Sequence, residues 1–310
     1  MSEELKEGLI LKSTGKNYQI VSSDKEYLEG VLKGNWRTKG IRTTNPIAVG
    51  DHVKYKIEAD GTAVIEELVP RKNHIIRRSI NLSKESHIVA ANVDQALLIV
   101  TPDKPPTSFG FIDRFLVAAE SYHIPSIIII NKIDLEGTEE KIADIMMTYE
   151  MIGYPVMLVS ATKEKNIDKF KALLEGKVSA LAGHSGVGKS TLINKVDSDL
   201  DLRTSEISES YQLGKHTTTF AEMFELSFGG YIIDTPGIKG YGLIGIEKEE
   251  LALYFREMSE LLPNCKFYNC THINEPKCAV KKAVEEGEIP ESRYRSYISM
   301  YEDDPSKTYR

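Results

Sequence analysis

The sequence predicts a chain in three parts: an all-β barrel of the OB type over residues 1–72, an α/β domain with a mainly parallel sheet over residues 73–245, and a polar, helical module over residues 246–310. Three observations carry that prediction. Five short apolar segments separated by turn residues fill the chain as far as Pro70, apolar runs then alternate with amphipathic stretches as far as Gly245, and all three cysteines fall between Cys265 and Cys278. A length of 310 residues also exceeds one ordinary core, at roughly 100 to 200 residues per domain.

The barrel strands read as Gly8 to Ile10, Tyr18 to Val21, Tyr27 to Leu32, Val53 to Ile57 and Ala63 to Leu68. The last two flank Asp60-Gly61, a dipeptide favoured in two-residue hairpin turns because both central positions take positive φ. Five strands suit an OB-fold, which commonly binds oligonucleotides on one face. A barrel that does no more than pack on its neighbour fits the same pattern.

Beyond Arg71 the strands read as Ala96 to Val100, Ile127 to Ile130, Val156 to Val159, Val178 to Ala182, Met223 to Leu226 and Tyr231 to Ile233. Helices read near Phe111 to Ala119, near Glu139 to Glu150 and from Lys189. Such alternation predicts a sheet covered by helices on both faces, with ligands at the carboxyl ends of its strands.

Composition narrows the class. Apolar and charged shares of 41% and 27% suit a folded globular protein rather than a disordered chain or a coiled coil. Met1 to Ile20 carries charge throughout, so neither a signal peptide nor a membrane anchor fits. The longest apolar stretch, Ile124 to Ile130, contains Pro125 and falls far short of the roughly 20 residues that span a bilayer. The expectation is a cytoplasmic monomer without a membrane partner. A net charge of −7 argues against nucleic acid as a partner, yet two stretches are locally basic. Lys33, Arg37, Lys39, Arg42, Lys54 and Lys56 face Asp51 alone, and Arg71, Lys72, Arg77, Arg78 and Lys84 face Glu85 alone.

The strand Val178 to Ala182 runs into Gly183-His184-Ser185-Gly186-Val187-Gly188-Lys189-Ser190, followed by Thr191. This is the phosphate-loop pattern in its strand-loop-helix context. Glycines let backbone N–H groups converge on a phosphate at a helix N-terminus, Lys189 pairs with the β- and γ-phosphates, and the Ser190 hydroxyl binds Mg²⁺. After another strand comes Asn131-Lys132-Ile133-Asp134, the N-K-x-D form with which phosphate-loop GTPases choose guanine. The Asp134 carboxylate accepts from guanine N1–H and the 2-amine together, and Asn131 contacts the other edge of the base. Adenine lacks both donors, and sites of this kind discriminate by up to about 10⁴ to 10⁵-fold. Ser160-Ala161 resembles the loop that supports the base, and Asp234-Thr235-Pro236-Gly237 the switch in which Asp holds Mg²⁺ and the Gly N–H senses the γ-phosphate. Gly214 to Thr219 offers the Mg²⁺-binding threonine, for which Thr218 is the candidate. Asn131 precedes Gly183, the reverse of the ordinary order, so the domain reads as circularly permuted and its Asp234 switch feeds directly into the C-terminal module.

Cys265, Cys270, His272 and Cys278 form C-x₄-C-x-H-x₅-C, four donors that suit a tetrahedral structural Zn²⁺ and leave no open position. The metal is expected to hold together a module too small for its own core.

With these residues in place, the chain resembles, along essentially its full length, the ribosome small-subunit-dependent GTPase A family (RsgA or YjeQ). The resemblance rests on the barrel, the permuted order of the four motifs and the cysteine-histidine window. It implies GTP hydrolysis to GDP stimulated by the small (30S) ribosomal subunit during late maturation, with barrel and zinc module contacting rRNA. Ile238 follows Gly237 where many GTPases carry a water-orienting Gln, and the resemblance places the chain among GTPases with a hydrophobic residue there. His216 then becomes the candidate to position the attacking water, alongside Lys189 and Thr218. A second reading is an RNA-binding checkpoint in which GTP selects the conformation and hydrolysis only aids release.

Overall fold

Side chains alternate across a strand, so one face can bury while the other stays wet, and the N-terminal segments use that alternation throughout. The computed structural model of the protein describes residues 5–14, 17–33, 46–78, 86–200, 221–234 and 246–303. Strands β1 (Lys6–Ser13), β2 (Asn17–Ser22), β3 (Tyr27–Leu32), β4 (His52–Ile57) and β5 (Ala63–Leu68) pair in the order β1-β2-β3-β5-β4, and β1 also pairs with β4. The sheet therefore closes into a barrel, with β3 and β5 parallel. A register shift between Ile10 and Lys12 bends β1 so that it can serve two neighbours. Ile10, Tyr18, Ile20, Ile47, Val53, Tyr55, Ala63 and Ile65 fill the interior.

The turn at Asp60-Gly61 differs from the expected two-residue form. Glu58 N–H donates to Thr62 O at 2.9 Å, and of the two central residues Gly61 alone has positive φ, +86°. This is a three-residue loop with glycine in the left-handed position. Asp60 instead accepts from Thr62 N–H at 2.9 Å.

The remaining elements are β6 (His74–Arg78), β7 (Ser86–Ala91), β8 (Gln95–Val100), α1 (Phe109–Ser121), β9 (Ser126–Ile130), α2 (Glu139–Met151), β10 (Val156–Leu158), α3 (Ile167–Leu174), β11 (Val178–Ala182), α4 (Lys189–Val196), β12 (Glu222–Glu225), β13 (Tyr231–Asp234), α5 (Arg256–Leu261), α6 (Ala279–Glu285) and α7 (Glu291–Glu302). The antiparallel hairpin of β6 and β7, and helix α3, have no counterpart in the sequence reading.

Two compact units result. The first takes Met1–Ala96, Asp168–Ala182 and Lys189–Lys239. Within it β11 and β13 run parallel with Leu181 opposite Asp234, β12 is antiparallel to β13, and β1 of the barrel pairs with β12 at Lys12 and Glu222. A salt bridge between the same two side chains, at 3.1 Å, reinforces that join.

The second unit takes Leu97–Ile167, Gly183–Gly188 and Gly240–Arg310. Here β9 and β10 run parallel, and β9 is apolar on both faces, as a covered strand must be. Ser108 caps α1 by accepting from Phe111 N–H at 3.3 Å. The C-terminal module, expected to be too small for a core of its own, does bury an apolar cluster. Leu251, Phe255, Met258, Val280, Ile289, Tyr297 and Met300 cluster, and Val117 of α1 completes the cluster. Borrowing a face of α1 supplies the apolar area that a short segment lacks. Beside it Arg293, fully buried, donates to Asp113 Oδ1 at 2.8 Å and to Glu257 Oε1 at 2.8 Å, and lies over Phe255 at 4.4 Å. Burial alone would lower the Arg293 pKa, but Asp113 and Glu257 raise it above its ordinary value. Burial pushes the Asp113 carboxyl up and Arg293 opposes it. Among the described residues no helix is long and apolar enough to cross a membrane.

Candidate functional site

In the second unit, three loops at strand ends come together around Asn131. Its N–H donates to Val100 O at 2.8 Å, and the residue is 1% exposed. Its Nδ2 donates to Val187 O at 2.8 Å and its Oδ1 accepts from Ala161 N–H at 3.2 Å. Asn131, whose expected contact to the base edge is not tested by these bonds, ties the phosphate loop to the base loop. Gly188 shows how closely: its φ is +94°, and a Cβ there would stand 2.5 Å from Asn131 Nδ2. Lys132, with φ +62°, crosses the same loop and donates from Nζ to Gly186 O at 2.7 Å and to Lys104 O.

The Asp134 carboxylate is exposed and held on both oxygens. Oδ1 accepts from Ser160 Oγ at 2.5 Å and Oδ2 from Thr162 Oγ1 at 3.0 Å. The Ser160 bond, with help from Thr162 and against a smaller effect of burial, keeps the Asp134 pKa below the ordinary carboxylate value. Thr162 escaped the sequence reading, which stopped at Ala161.

Along the phosphate loop, Ser185 and Gly186 stand exposed while Val187 is fully buried and anchors the turn. Gly183 has φ +142°, and a Cβ there would collide with Ile99 O. The His184 ring stacks on Phe111 of α1, with centroids 3.7 Å apart and planes 29° from parallel. Lys189, Ser190 and Thr191 open α4 in the first unit, where Ser190 is 8% exposed. Asp234 ends β13 in that unit. Asp234 thus stands at the carboxyl end of β13, and Ser190 lies in the helix that follows its parallel neighbour β11. His216, Thr218, Gly237 and Ile238 lie outside the described residues, as do Arg37, Lys39, Arg42 and Lys84.

The basic stretches are less positive than their sequences suggest. Lys33 pairs with Glu66 at 2.5 Å, Lys54 with Glu67 at 3.7 Å, Arg71 with the buried Asp51 at 2.6 Å, and Lys72 with Asp94. Glu66, Glu67 and Asp94 lie outside both stretches in sequence and only the fold brings them in.

Cys265, Cys270, His272 and Cys278 converge, with their ligand atoms all within 4.8 Å of one another. His272 Nδ1 lies 3.3 Å from Cys278 Sγ and 3.7 Å from Cys265 Sγ. A tetrahedron with Zn–S of about 2.3 Å needs ligand atoms roughly 3.5 to 4 Å apart, so a small inward shift of the widest pair closes these four donors on an ion. Burial pushes the Cys270 thiol up to about 12 and raises that of Cys278, an environment in which thiolates call for a cation. Glu275, also missed in sequence, organises the loop by accepting from Thr271 N–H at 2.8 Å, Thr271 Oγ1 at 2.6 Å and Ile273 N–H at 3.1 Å.

Comparison with known proteins shows what the chain resembles. A sequence profile described as RsgA GTPase matches residues 68–244, and one described as RsgA N-terminal domain matches residues 7–65. A protein of Bacteroides fragilis named small ribosomal subunit biogenesis GTPase RsgA is 51% identical over 305 residues, covering 98% of each chain. One of the same name from Phocaeicola vulgatus is 52% identical over 305 residues, again covering 98% of each. The crystal structure of YjeQ from Thermotoga maritima superposes with a TM-score of 0.78 at 35% identity, covering 96% of this chain and 98% of that one. YloQ, described as a circularly permuted GTPase, gives 0.74 at 30% identity, covering 96% and 94%.

Proposed function

We infer that this chain, which belongs to the RsgA family of circularly permuted GTPases, hydrolyses GTP in the service of small-ribosomal-subunit biogenesis, the process for which its relatives are named. The observation that carries the reading is the Asn131 carboxamide, bonded to both Val187 O and Ala161 N–H, which locks phosphate loop and base loop together. Beside it Asp134 offers an ionised carboxylate to the two donors of guanine that adenine lacks.

The phosphate-loop N–H groups cradle the β-phosphate, and Lys189 offsets charge that develops on the β- and γ-phosphates during hydrolysis. Ser190, Thr218 and Asp234 would hold Mg²⁺, which neutralises phosphate oxygens when bound. The Ile238 side chain has no polar atom with which to orient water, so we assign that role to His216. Replacing His216 by Ala should leave GTP binding intact and abolish subunit-stimulated turnover; unchanged turnover would remove the assignment. One structural Zn²⁺ belongs on Cys265, Cys270, His272 and Cys278.

The working division is barrel 1–72, GTPase domain 73–245 and zinc module 246–310, acting as a cytoplasmic monomer. Barrel and zinc module contact rRNA. Tyr268 supports the second contact: it is 94% exposed, on a loop held at both ends by Cys265 and Cys270, and close in sequence to Lys266. An aromatic face near a cation suits unstacked bases. Nothing favours the checkpoint reading over catalysis, since the relatives are themselves named GTPases. Co-sedimentation tests the assignment. The protein should pellet with small subunits in a non-hydrolysable GTP analogue, less so in GDP, and not with large subunits; equal binding to both subunits would contradict it.

A further inference from the structure

We propose that Thr162 is a specificity-determining residue for guanine, acting by fixing the second oxygen of Asp134; the proposal rests on the guanine-nucleotide reading above. A hydroxyl has one proton to donate. Ser160 Oγ accepts from Lys163 N–H at 3.0 Å, and its own proton goes to Asp134 Oδ1 at 2.5 Å. Thr162 Oγ1 lies 3.0 Å from Asp134 Oδ2 and 3.2 Å from Ser160 Oγ. The Ser160 oxygen already receives a proton and is neutral, whereas Oδ2 is charged and the stronger acceptor. The Thr162 proton therefore belongs to Oδ2.

Each carboxylate oxygen thus has one donor of its own, and the consequence is geometric. The terminal torsion of Asp is broad and nearly free, so a carboxylate held at one oxygen swings about that contact. Held at both, its plane is set. Each oxygen keeps a second lone pair, and Asp134 is exposed, so the residue presents two coplanar acceptors outward. Guanine N1–H and its 2-amine are two coplanar donors. The loop carrying Thr162 is itself pinned: Ser160 and Lys165 exchange backbone bonds at 3.1 and 3.0 Å, and Ala161 N–H donates to Asn131. Thr162 can thus act as a fixed reference rather than a mobile one.

The test compares wild type, Thr162→Val and Thr162→Ser as full-length, zinc-loaded protein. Affinities for GDP, IDP and ADP are measured by calorimetry, with a thermal melt of each variant. IDP keeps N1–H but lacks the 2-amine, so it reads single-toothed recognition. Valine keeps the shape and removes the donor. We expect it to weaken GDP about tenfold, the worth of one hydrogen bond to a charged group. IDP should weaken less, so that the GDP-to-IDP ratio falls severalfold, and serine should restore the wild-type ratio. A valine variant with unchanged GDP-to-IDP ratio, whatever its melting temperature, would overturn the proposal and leave Thr162 a structural loop residue. Failure of serine to restore the ratio would overturn it equally. If the wild type itself does not prefer GDP over ADP, the guanine reading fails and the role of Thr162 falls with it, an outcome distinct from the other two.

Discussion

Replacing Arg293 by Met probes the join between α1 and the C-terminal helices. The guanidinium is fully buried and contacts Asp113 at 2.8 Å and Glu257 at 2.8 and 3.3 Å, with both acids buried as well. Methionine fills much of the volume but leaves two buried carboxylates without their counter-charge. Breaking a buried ion pair from one side costs about 3 to 5 kcal/mol. At about 2 to 4 °C per kcal/mol for a unit of this size, the melting temperature should fall by roughly 6 to 20 °C. Circular dichroism melts at fixed zinc and protein concentration measure it. Adding Asp113→Asn and Glu257→Gln to the Met variant should recover a large part of the loss, because neutral amides need no counter-charge. The amide oxygen introduced by Asp113→Asn can still accept from the Tyr149 hydroxyl, which in the wild type donates to Asp113 Oδ1 at 2.7 Å. A drop below about 2 °C for the single variant, or a further drop for the triple one, would refute the reasoning.

Three further outcomes follow from the site geometry. Gly188→Ala forces a Cβ to within 2.5 Å of Asn131 Nδ2 at a φ of +94°, and a GDP titration should show at least about a tenfold loss of affinity; wild-type affinity would mean that the Asn131 tie is dispensable. Purified protein should carry one zinc per chain by elemental analysis and lose it in Cys278→Ser, with a lowered melting temperature; a metal-free, equally stable wild type would contradict the site. Burial raises the Glu275 pKa, but the hydrogen bonds from Thr271 and the loop N–H groups outweigh it and bring it down from 4.5 to about 2. A depressed folded pKa contributes stability above the unfolded value and loses it as pH falls through the folded one. The stability gap between wild type and Glu275→Gln should therefore hold steady from about pH 8 to about 5 and close between about 4.5 and 2; a gap that widens in acid would contradict this.

Chemistry fixed by contiguous spacing was legible in the sequence. The phosphate loop, the N-K-x-D tetrapeptide and the cysteine-histidine window each declare themselves within a few residues, and β3, β5 and β11 begin and end where alternation and turn residues predict. What remained hidden needed distance or context. The hairpin of β6 and β7 reads as a basic stretch because Arg77, Arg78 and Lys84 dominate it, masking the apolar Ile75 and Ala90 that bury. Helix α3 has eight residues and buries only Phe170 and Leu174, too few to set a period. Asp113 and Arg293 stand 180 residues apart, so no local pattern announces their pairing. Thr162 meets Asp134 across 28 residues and two loops.

The central claim, a GTPase whose working partner is the small ribosomal subunit, is tested most directly by its GTP hydrolysis rate alone, with small subunits and with large subunits. Turnover should be slow for the protein alone and strongly stimulated by the small subunit only. Stimulation by neither subunit, with GTP still bound tightly, would contradict it.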